Sequence, residues 1–340
     1  MTRQNESGIP SGFRAVRTHR AGERTESRLE ILTLDELSAG DVVVRVHYAG
    51  VNYKDSLSLH GKARIITDFP RIAGIELVGE VAQSRSGEFE SGQMVFVHGF
   101  QTGIAFDGGF AEYARVPAAH LQPIPAGLSA EQVAVLGVPA FTAAMALERF
   151  QLEGLRPGSG PVAISGAGGA VGLAAMGILA RTGHQITAIT RRAARGEALR
   201  AAGATEVLEV DALLSVPQRA LEKARFAAAV DNVGGSMLAW LLRSTMDGAC
   251  VACVGNAGSN SFDGSVLPFI MRAVKLVGIV ANAPMVQRQR LWAQLASDWR
   301  PDFDRIFPQV HRLRLDDLLD YSQRQLAGET HGRAVVSFVD

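Results

Sequence analysis

The chain has 340 residues and weighs 36.2 kDa, room for about two domains at roughly 150 residues each. Apolar residues make up 47% and charged residues 20%, a composition that excludes a mainly disordered chain. Lys plus Arg and Asp plus Glu are 34 each, so bulk charge gives no drive toward nucleic acid or an acidic membrane, and two Cys are too few for a disulfide framework or a four-Cys zinc site.

Residues 1–12 are polar, lack the apolar segment of a secretory signal, and read as a flexible tail. From Phe13 to residue 136 the pattern is short strands, among them 41–46, 74–81 and 93–97, which predicts a β-rich domain over 13–136. The rhythm changes at Gly137. A helix is expected over 139–150, then strands at 161–165, 185–190, 206–210, 227–231, 249–255 and 276–281 separated by helices at 169–182, 195–202 and 236–245. That alternation predicts an α/β domain, a doubly wound parallel sheet, over 137–281. Residues 282–340 read as helices at 284–298 and 315–327, the second stopped by Gly328, and a strand at 333–339. This segment is expected to return to the β-rich domain, so that the doubly wound domain is an insertion in it. The uncharged run 157–180 has the length of a membrane helix, but it holds seven Gly and two Pro. A strand, a glycine turn and a buried helix account for it. The expectation is a cytoplasmic protein with no membrane span.

That turn is Gly166-Ala167-Gly168-Gly169-Ala170-Val171-Gly172, with glycines spaced GxxGxxG at 166, 169 and 172. Missing Cβ atoms let a pyrophosphate approach the backbone, and the helix N-terminus behind it supplies N–H groups and partial positive charge. A tight turn without ligand would use the same glycines; the strand–turn–helix context favours the dinucleotide. After the next strand an NAD site places an acid for the ribose diol. Here the chain reads Thr190-Arg191-Arg192, with no acid before Glu197. Two guanidiniums suit a 2′-phosphate, so NADPH is the favoured cofactor. The other reading is a solvated basic helix start.

With Asn52-Tyr53-Lys54-Asp55, Gly74-Ile75-Glu76, Gly108-Gly109-Phe110-Ala111-Glu112-Tyr113, Phe141-Thr142-Ala143, Pro268-Phe269-Ile270 and His331-Gly332-Arg333-Ala334-Val335-Val336, nearly the whole chain resembles the medium-chain dehydrogenase/reductases. It is most similar to their zinc-free branch of quinone oxidoreductases and acrylyl-CoA reductases. The resemblance implies a Rossmann domain inserted in a GroES-like one, and a homodimer. It also implies that the zinc-ligand positions of the alcohol dehydrogenases fall on Asn52, Ile75 and Val138. Ile and Val cannot coordinate zinc, so no metal is expected. Cys250 and Cys253 lie three apart on an expected strand and point to opposite faces, which defeats a shared metal or a redox pair.

A zinc-free member has no Lewis acid to polarise an alcohol. It suits reduction of an activated C=C bond (an enoyl-CoA of the acrylyl type, or an enone) or of a quinone. A protein that holds NADPH without turnover is the third reading. The resemblance puts Tyr53 beside nicotinamide and substrate, as an orienting or proton-donating phenol or as a pocket wall. Asn52 would donate to a substrate oxygen or only fix its loop. Thr142 could reach the nicotinamide carboxamide, and Gly255 and Asn256, past a later strand, the nicotinamide side. Lys62, Arg64 and Arg71 are candidates for a CoA phosphate, with solvation the default for such charges. His60 and His98 could face the cleft from the β-rich domain, with a solvated or core residue the default.

Overall fold

The structure is a computed structural model that describes residues 8–339. Residues 1–7 of the expected tail lie outside the described residues. Ile9, within it, is only 1% exposed, so that part is packed rather than loose. Two compact units form. One runs to Val138 and resumes at Val310; the other is Pro139–Gln309.

The first unit opens with a hairpin of β1 (Phe13–Ala21) and β2 (Arg24–Leu32). It continues through β3 (Val42–Val51), α1 (Tyr53–Leu59), β4 (Arg71–Ile72), β5 (Glu76–Ser84), β6 (Met94–His98), β7 (Tyr113–Val116) and β8 (Gln122–Pro123) to α2 (Ala130–Leu152). The second unit alternates: β9 (Val162–Ser165), α3 (Ala170–Arg181), β10 (Ile186–Thr190), α4 (Gly196–Ala201), β11 (Glu206–Glu209), α5 (Val210–Leu214), β12 (Phe226–Asp231), α6 (Gly235–Ser244), β13 (Thr245–Cys253), α7 (Leu267–Arg272), β14 (Lys275–Gly278), α8 (Met285–Leu295) and α9 (Phe303–Ile306). The chain then returns with β15 (Val310–Leu313), α10 (Leu318–Leu326) and β16 (Arg333–Ser337).

Among the described residues the second unit has one six-stranded sheet, ordered β11-β10-β9-β12-β13-β14 and parallel throughout. Every residue of β9 and β10 is buried, as helices on both faces require. The first unit has a seven-stranded sheet in which β16 lies between β15 and β3, and a smaller one ordered β2-β1-β4. Its core gathers Phe13, Val42, Val44, Leu77, Val95, Phe110 and their neighbours.

Several elements depart from the sequence expectation. Helix α1 was not anticipated. Helix α2 begins at Ala130 and breaks at Gly137, whose φ of 44° and ψ of −151° suit glycine alone. By length and composition α2 could cross a membrane, but both halves are core: Val133, Leu136, Ala140, Phe141, Leu147 and Phe150 are buried. Strand β13 starts at Thr245 rather than 249. Finally, α8 and α9 belong to the second unit, so the return starts at Val310 rather than at 282. The cause is packing. Leu291, Trp292 and Leu295 are buried, and Pro301 and Ile306 crowd Gly177 of α3, where an added Cβ would lie 2.8 and 3.1 Å from them.

Candidate active site

In the first unit, the chain leaves β3 at Asn52 and turns into α1. The Asn52 N–H donates to Asp55 Oδ2 at 2.9 Å, and the Ile75 N–H donates to Asp55 Oδ1 at 3.0 Å. The Asn52 amide Nδ2 donates to Asp55 Oδ2 (3.1 Å) and to Glu76 Oε1 (2.7 Å), while its Oδ1 accepts from Arg333 Nη1 (3.3 Å). Both amide hydrogens are therefore committed inside the protein. Asn52 holds the turn, and no amide hydrogen is left over for a substrate oxygen.

Glu76 is the hub. It accepts from Arg333 Nη2 and from the Val138 N–H as well as from Asn52, each at 2.7 Å. Arg333 also donates to the carbonyls of Ala134 (2.8 Å) and Val51 (3.3 Å). Both charged side chains are buried, and two glycines make room for them. A Cβ at Gly50 would lie 1.8 Å from Arg333 Nη2, and one at Gly137 would lie 2.2 Å from Glu76 Oε2. Beside this pair, burial pushes the Asp55 carboxyl up to about 6; the Glu76 charge adds to the rise, and the N–H donors from Asn52 and Ile75 oppose it.

Asn52, Ile75 and Val138 thus do converge, but on two carboxylates rather than on a metal. Ile75 and Val138 engage them through backbone N–H groups and carry no donor side chain. These residues do not fit a zinc ion. Among the described residues no group of three His, Cys, Asp or Glu is placed to hold a metal. Tyr53, next to this hub and first in α1, is 39% exposed, so its phenol is accessible.

Other candidates fall away from the chemistry. Arg71 is buried and paired with Asp68 (2.8 Å) and Asp107 (3.5 Å), which removes it as a phosphate ligand. Lys62 and Arg64 are exposed. His98 is buried and stacked on Phe96, and the His60 Nε2 pairs with the Ser322 hydroxyl at 2.7 Å. Cys250 is buried and Cys253 half-buried on β13. Burial pushes the Cys250 thiol up to about 11, so it is inert.

In the second unit, β9 delivers the glycine turn. Gly166 has a φ of 57° and lies against the next turn, where an added Cβ would be 3.3 Å from Asn232 Cβ and Val233 Cγ2. Gly172 packs α3 onto the turn, since a Cβ there would be 2.6 Å from Ala167 Cα. A Cβ at Gly168 would meet nothing within 4 Å, and Gly169 caps the 12-residue α3 without a side chain. The open face and the first-turn amides around Ala170 and Val171 fit a pyrophosphate. Thr190 ends β10, and its Oγ1 accepts the Arg192 N–H at 3.1 Å. Arg191 and Arg192 are exposed just beyond. Thr142 is buried in α2, after Phe141, whose ring lies 5.3 Å from the Arg288 guanidinium carbon. Gly255 follows β13 with its N–H on the Asp231 carbonyl (3.1 Å), and the exposed Asn256 bonds Asn260 through its amide.

Four residues of these clusters had no role in the sequence reading: Glu76, Arg333, Ser165 and Asp231. One signal was available for the first two. Each is a charge at the first position of a mostly apolar strand, and the charges are opposite.

Residues 38–126 match the alcohol dehydrogenase GroES-like domain, and residues 170–297 match the zinc-binding dehydrogenase family. The acrylyl-CoA reductase AcuI of Ruegeria pomeroyi is 36% identical over 92% of this chain and 94% of its own length. The chain belongs to the medium-chain dehydrogenase/reductase family. This medium-chain dehydrogenase/reductase is also similar to the putative quinone oxidoreductase YhfP of Bacillus subtilis, 34% identical over 85% of this chain and 88% of that one. The yhdH oxidoreductase of Salmonella enterica, solved in complex with NADP, superposes with a TM-score of 0.90 at 34% identity, covering 96% of this chain and 100% of that one. The architecture is a Rossmann unit inserted in a GroES-like unit, and the protein is an oxidoreductase. The family name includes zinc; the donor set at Asn52, Ile75 and Val138 does not.

Proposed function

We propose that this protein is an NADPH-dependent, zinc-independent reductase of activated C=C bonds, with acrylyl-CoA or an enone as substrate. The observation that carries this is the 36% identity to an acrylyl-CoA reductase across 92% of the chain. The exposed Arg191 and Arg192 after β10 support NADPH, since a guanidinium pair grips a 2′-phosphate and no acid there serves a free ribose diol. Gly166, Gly168, Gly169, Ala170, Val171 and Gly172 would hold the pyrophosphate, Thr190 would add a hydroxyl at the ribose, and Thr142, Gly255 and Asn256 would serve the nicotinamide end.

Bound NADPH supplies a hydride to the acceptor carbon. The protein's own groups handle the charge that then builds on the carbonyl oxygen. Tyr53 is the proposed donor: its phenol is accessible, whereas the Asn52 amide is committed to Asp55 and Glu76. A hydrogen bond aimed at that oxygen is worth most where the charge develops. The Asp55–Glu76–Arg333 cluster keeps the Asn52–Tyr53 turn in one geometry.

Reduction of a quinone is the second reading, supported by the 34% identity to a putative quinone oxidoreductase. A panel of acryloyl-CoA, crotonyl-CoA, simple enones and quinones, each with NADPH at one enzyme concentration, separates them. Preference for the acyl-CoA supports the first reading and preference for quinones the second. No NADPH oxidation with any of them would make the protein a non-catalytic NADPH binder.

A homodimer is part of the same reading. Strand β14 is the edge of its sheet and is flanked by exposed apolar side chains, Ile270 at 70% and Val280 at 69% among them. The opposite edge, β11, carries Glu206 and Glu209, whereas β14 itself carries one charge, Lys275, paired with Glu153. Charges blunt an edge and apolar flanks invite pairing.

A further inference from the structure

We propose that Asp231 and Ser165 form a clasp that fixes the glycine turn against the turn after β12 and the loop after β13, and so sets the affinity for the whole dinucleotide. Strands β9 and β12 are neighbours, with β10 on the far side of β9; this is where the strand order reverses and where such sheets bind ligands. Ser165 ends β9 and Asp231 ends β12, one step beyond the paired Ile164 and Val230.

Asp231 is fully buried. Its Oδ1 accepts from the Ser165 hydroxyl (2.5 Å) and the Val233 N–H (3.3 Å), and its Oδ2 accepts from the Gly234 N–H (2.8 Å). Ser165 answers from the other side. Its Oγ accepts the Asn232 N–H at 3.0 Å, and its carbonyl accepts the Asn232 Nδ2 at 2.8 Å. Two neighbouring strand ends are thereby tied by three hydrogen bonds. The third strand end hangs on the same turn. The Ala257 N–H donates to the Asn232 carbonyl (3.3 Å), the Gly258 and Ser259 N–H groups donate to the Val233 carbonyl (2.8 and 3.2 Å), and those of Val254 and Gly255 donate to the Asp231 carbonyl (2.8 and 3.1 Å). Close approach is built in, since a Cβ at Gly255 would lie 2.7 Å from the Asn232 carbonyl oxygen.

The turn proposed for the pyrophosphate and the loop proposed for the nicotinamide end therefore both hang on residues 231–233, whose turn the buried Asp231 carboxylate holds. Asp231 is fully buried and would act through Ser165 and Asn232 rather than on the cofactor itself, which makes it a positioning residue. The inference rests on the cofactor placement proposed above, but not on the 2′-phosphate assignment. It predicts that loosening the clasp weakens NADPH and NADH by the same factor, because both share everything except that phosphate.

The test is calorimetric titration of the full chain with NADPH and with NADH, alongside the melting temperature, for Asp231→Asn, Ser165→Ala and the double variant. Asp231→Asn puts an amide donor against N–H donors. Ser165→Ala removes one oxygen and its hydrogen bonds. Each single variant is expected to weaken both cofactors about 10- to 100-fold, the size of a lost hydrogen bond to a charged group. The double variant should be no weaker than the worse single, because both break one unit. A role confined to stability would lower the melting temperature and leave both dissociation constants at wild-type values; that result overturns the proposal, as does a loss for NADPH alone. If Asp231→Asn does not fold, Ser165→Ala decides by the same criteria. Arg192→Ala, run in parallel, tests the 2′-phosphate assignment separately.

Discussion

Glu76→Gln is the substitution that the first unit should tolerate least. The change keeps the shape and removes one charge, which leaves the buried Arg333 uncompensated. It also creates a conflict of donors. Glu76 accepts on both oxygens, from Arg333 and Asn52 on Oε1 and from the Val138 N–H on Oε2. A glutamine amide must turn its NH2 toward one of these donor sets whichever way it is flipped. Breaking a buried pair by removing one partner costs about 3–5 kcal/mol. For a unit of about 150–250 residues that is a fall in melting temperature of roughly 6–20 °C. Replacing both charges in a Glu76→Gln, Arg333→Met variant should cost clearly less than the sum of the two single changes, because no unpaired charge remains. Urea unfolding followed through tyrosine suits the measurement, since Tyr48, Tyr53, Tyr113 and Tyr321 all lie in this unit and the three Trp lie in the other. A loss under about 1 kcal/mol for Glu76→Gln, or a double variant that simply adds the singles, would refute the hub as described.

Arg192→Ala should weaken NADPH about 10- to 150-fold, the size of a charge-assisted hydrogen bond, and leave NADH nearly unchanged; equal weakening in titrations of both would mean that the arginines only solvate a helix start. Tyr53→Phe should preserve NADPH binding and lower turnover about 10²- to 10⁴-fold if the phenol acts as general acid, and unchanged single-turnover rates would make it a wall. Asp55 should contribute an inverted pH dependence. Its carboxyl titrates near 3.9 when unfolded and at about 6 when folded, so folding takes up a proton between those values and the stabilisation is lost as pH rises through 6. Relative to Asp55→Asn, the wild type should lose about 2 kcal/mol between about pH 4.5 and about pH 7.5; a flat or rising difference in urea unfolding would exclude the buried acid. Light scattering at micromolar concentration should give twice the chain mass, and Val280→Lys at the β14 edge should shift it toward the monomer; a wild-type monomer would sink the edge-pairing proposal.

How much could be read in advance depended on how local each feature is. Strand β9, the glycine turn and α3 were legible to within a residue, because an uncharged run punctuated by glycine leaves few other ways to fold. The parallel sheet was legible from alternation alone. Helix α1 was not, because seven residues show no helical period and its support comes from Asp55 bonding back to Asn52. The Glu76–Arg333 pair was invisible for another reason: its members are 257 residues apart, and no spacing rule links them. The Ser165–Asp231 bond spans 66 residues and joins positions that look like ordinary strand ends. Nothing local places helix α8 in either unit, because its amphipathic face says that it must pack, but not onto what.

The position of β16 has a consequence for how the molecule comes into being. This strand lies inside its sheet, antiparallel to β3 on one side and parallel to β15 on the other. During synthesis, β3 leaves the ribosome nearly 300 residues before its partner, with an open edge and with Glu76 lacking its counter-charge. Residues 139–309 are contiguous and can close a sheet of their own in the meantime. The first unit has to wait, since such long-range pairing is slow and an unpaired edge is exposed to mispairing. Truncation before Arg333 should therefore leave a nascent chain whose inserted unit is native-like while the earlier-made unit remains incomplete and prone to aggregate.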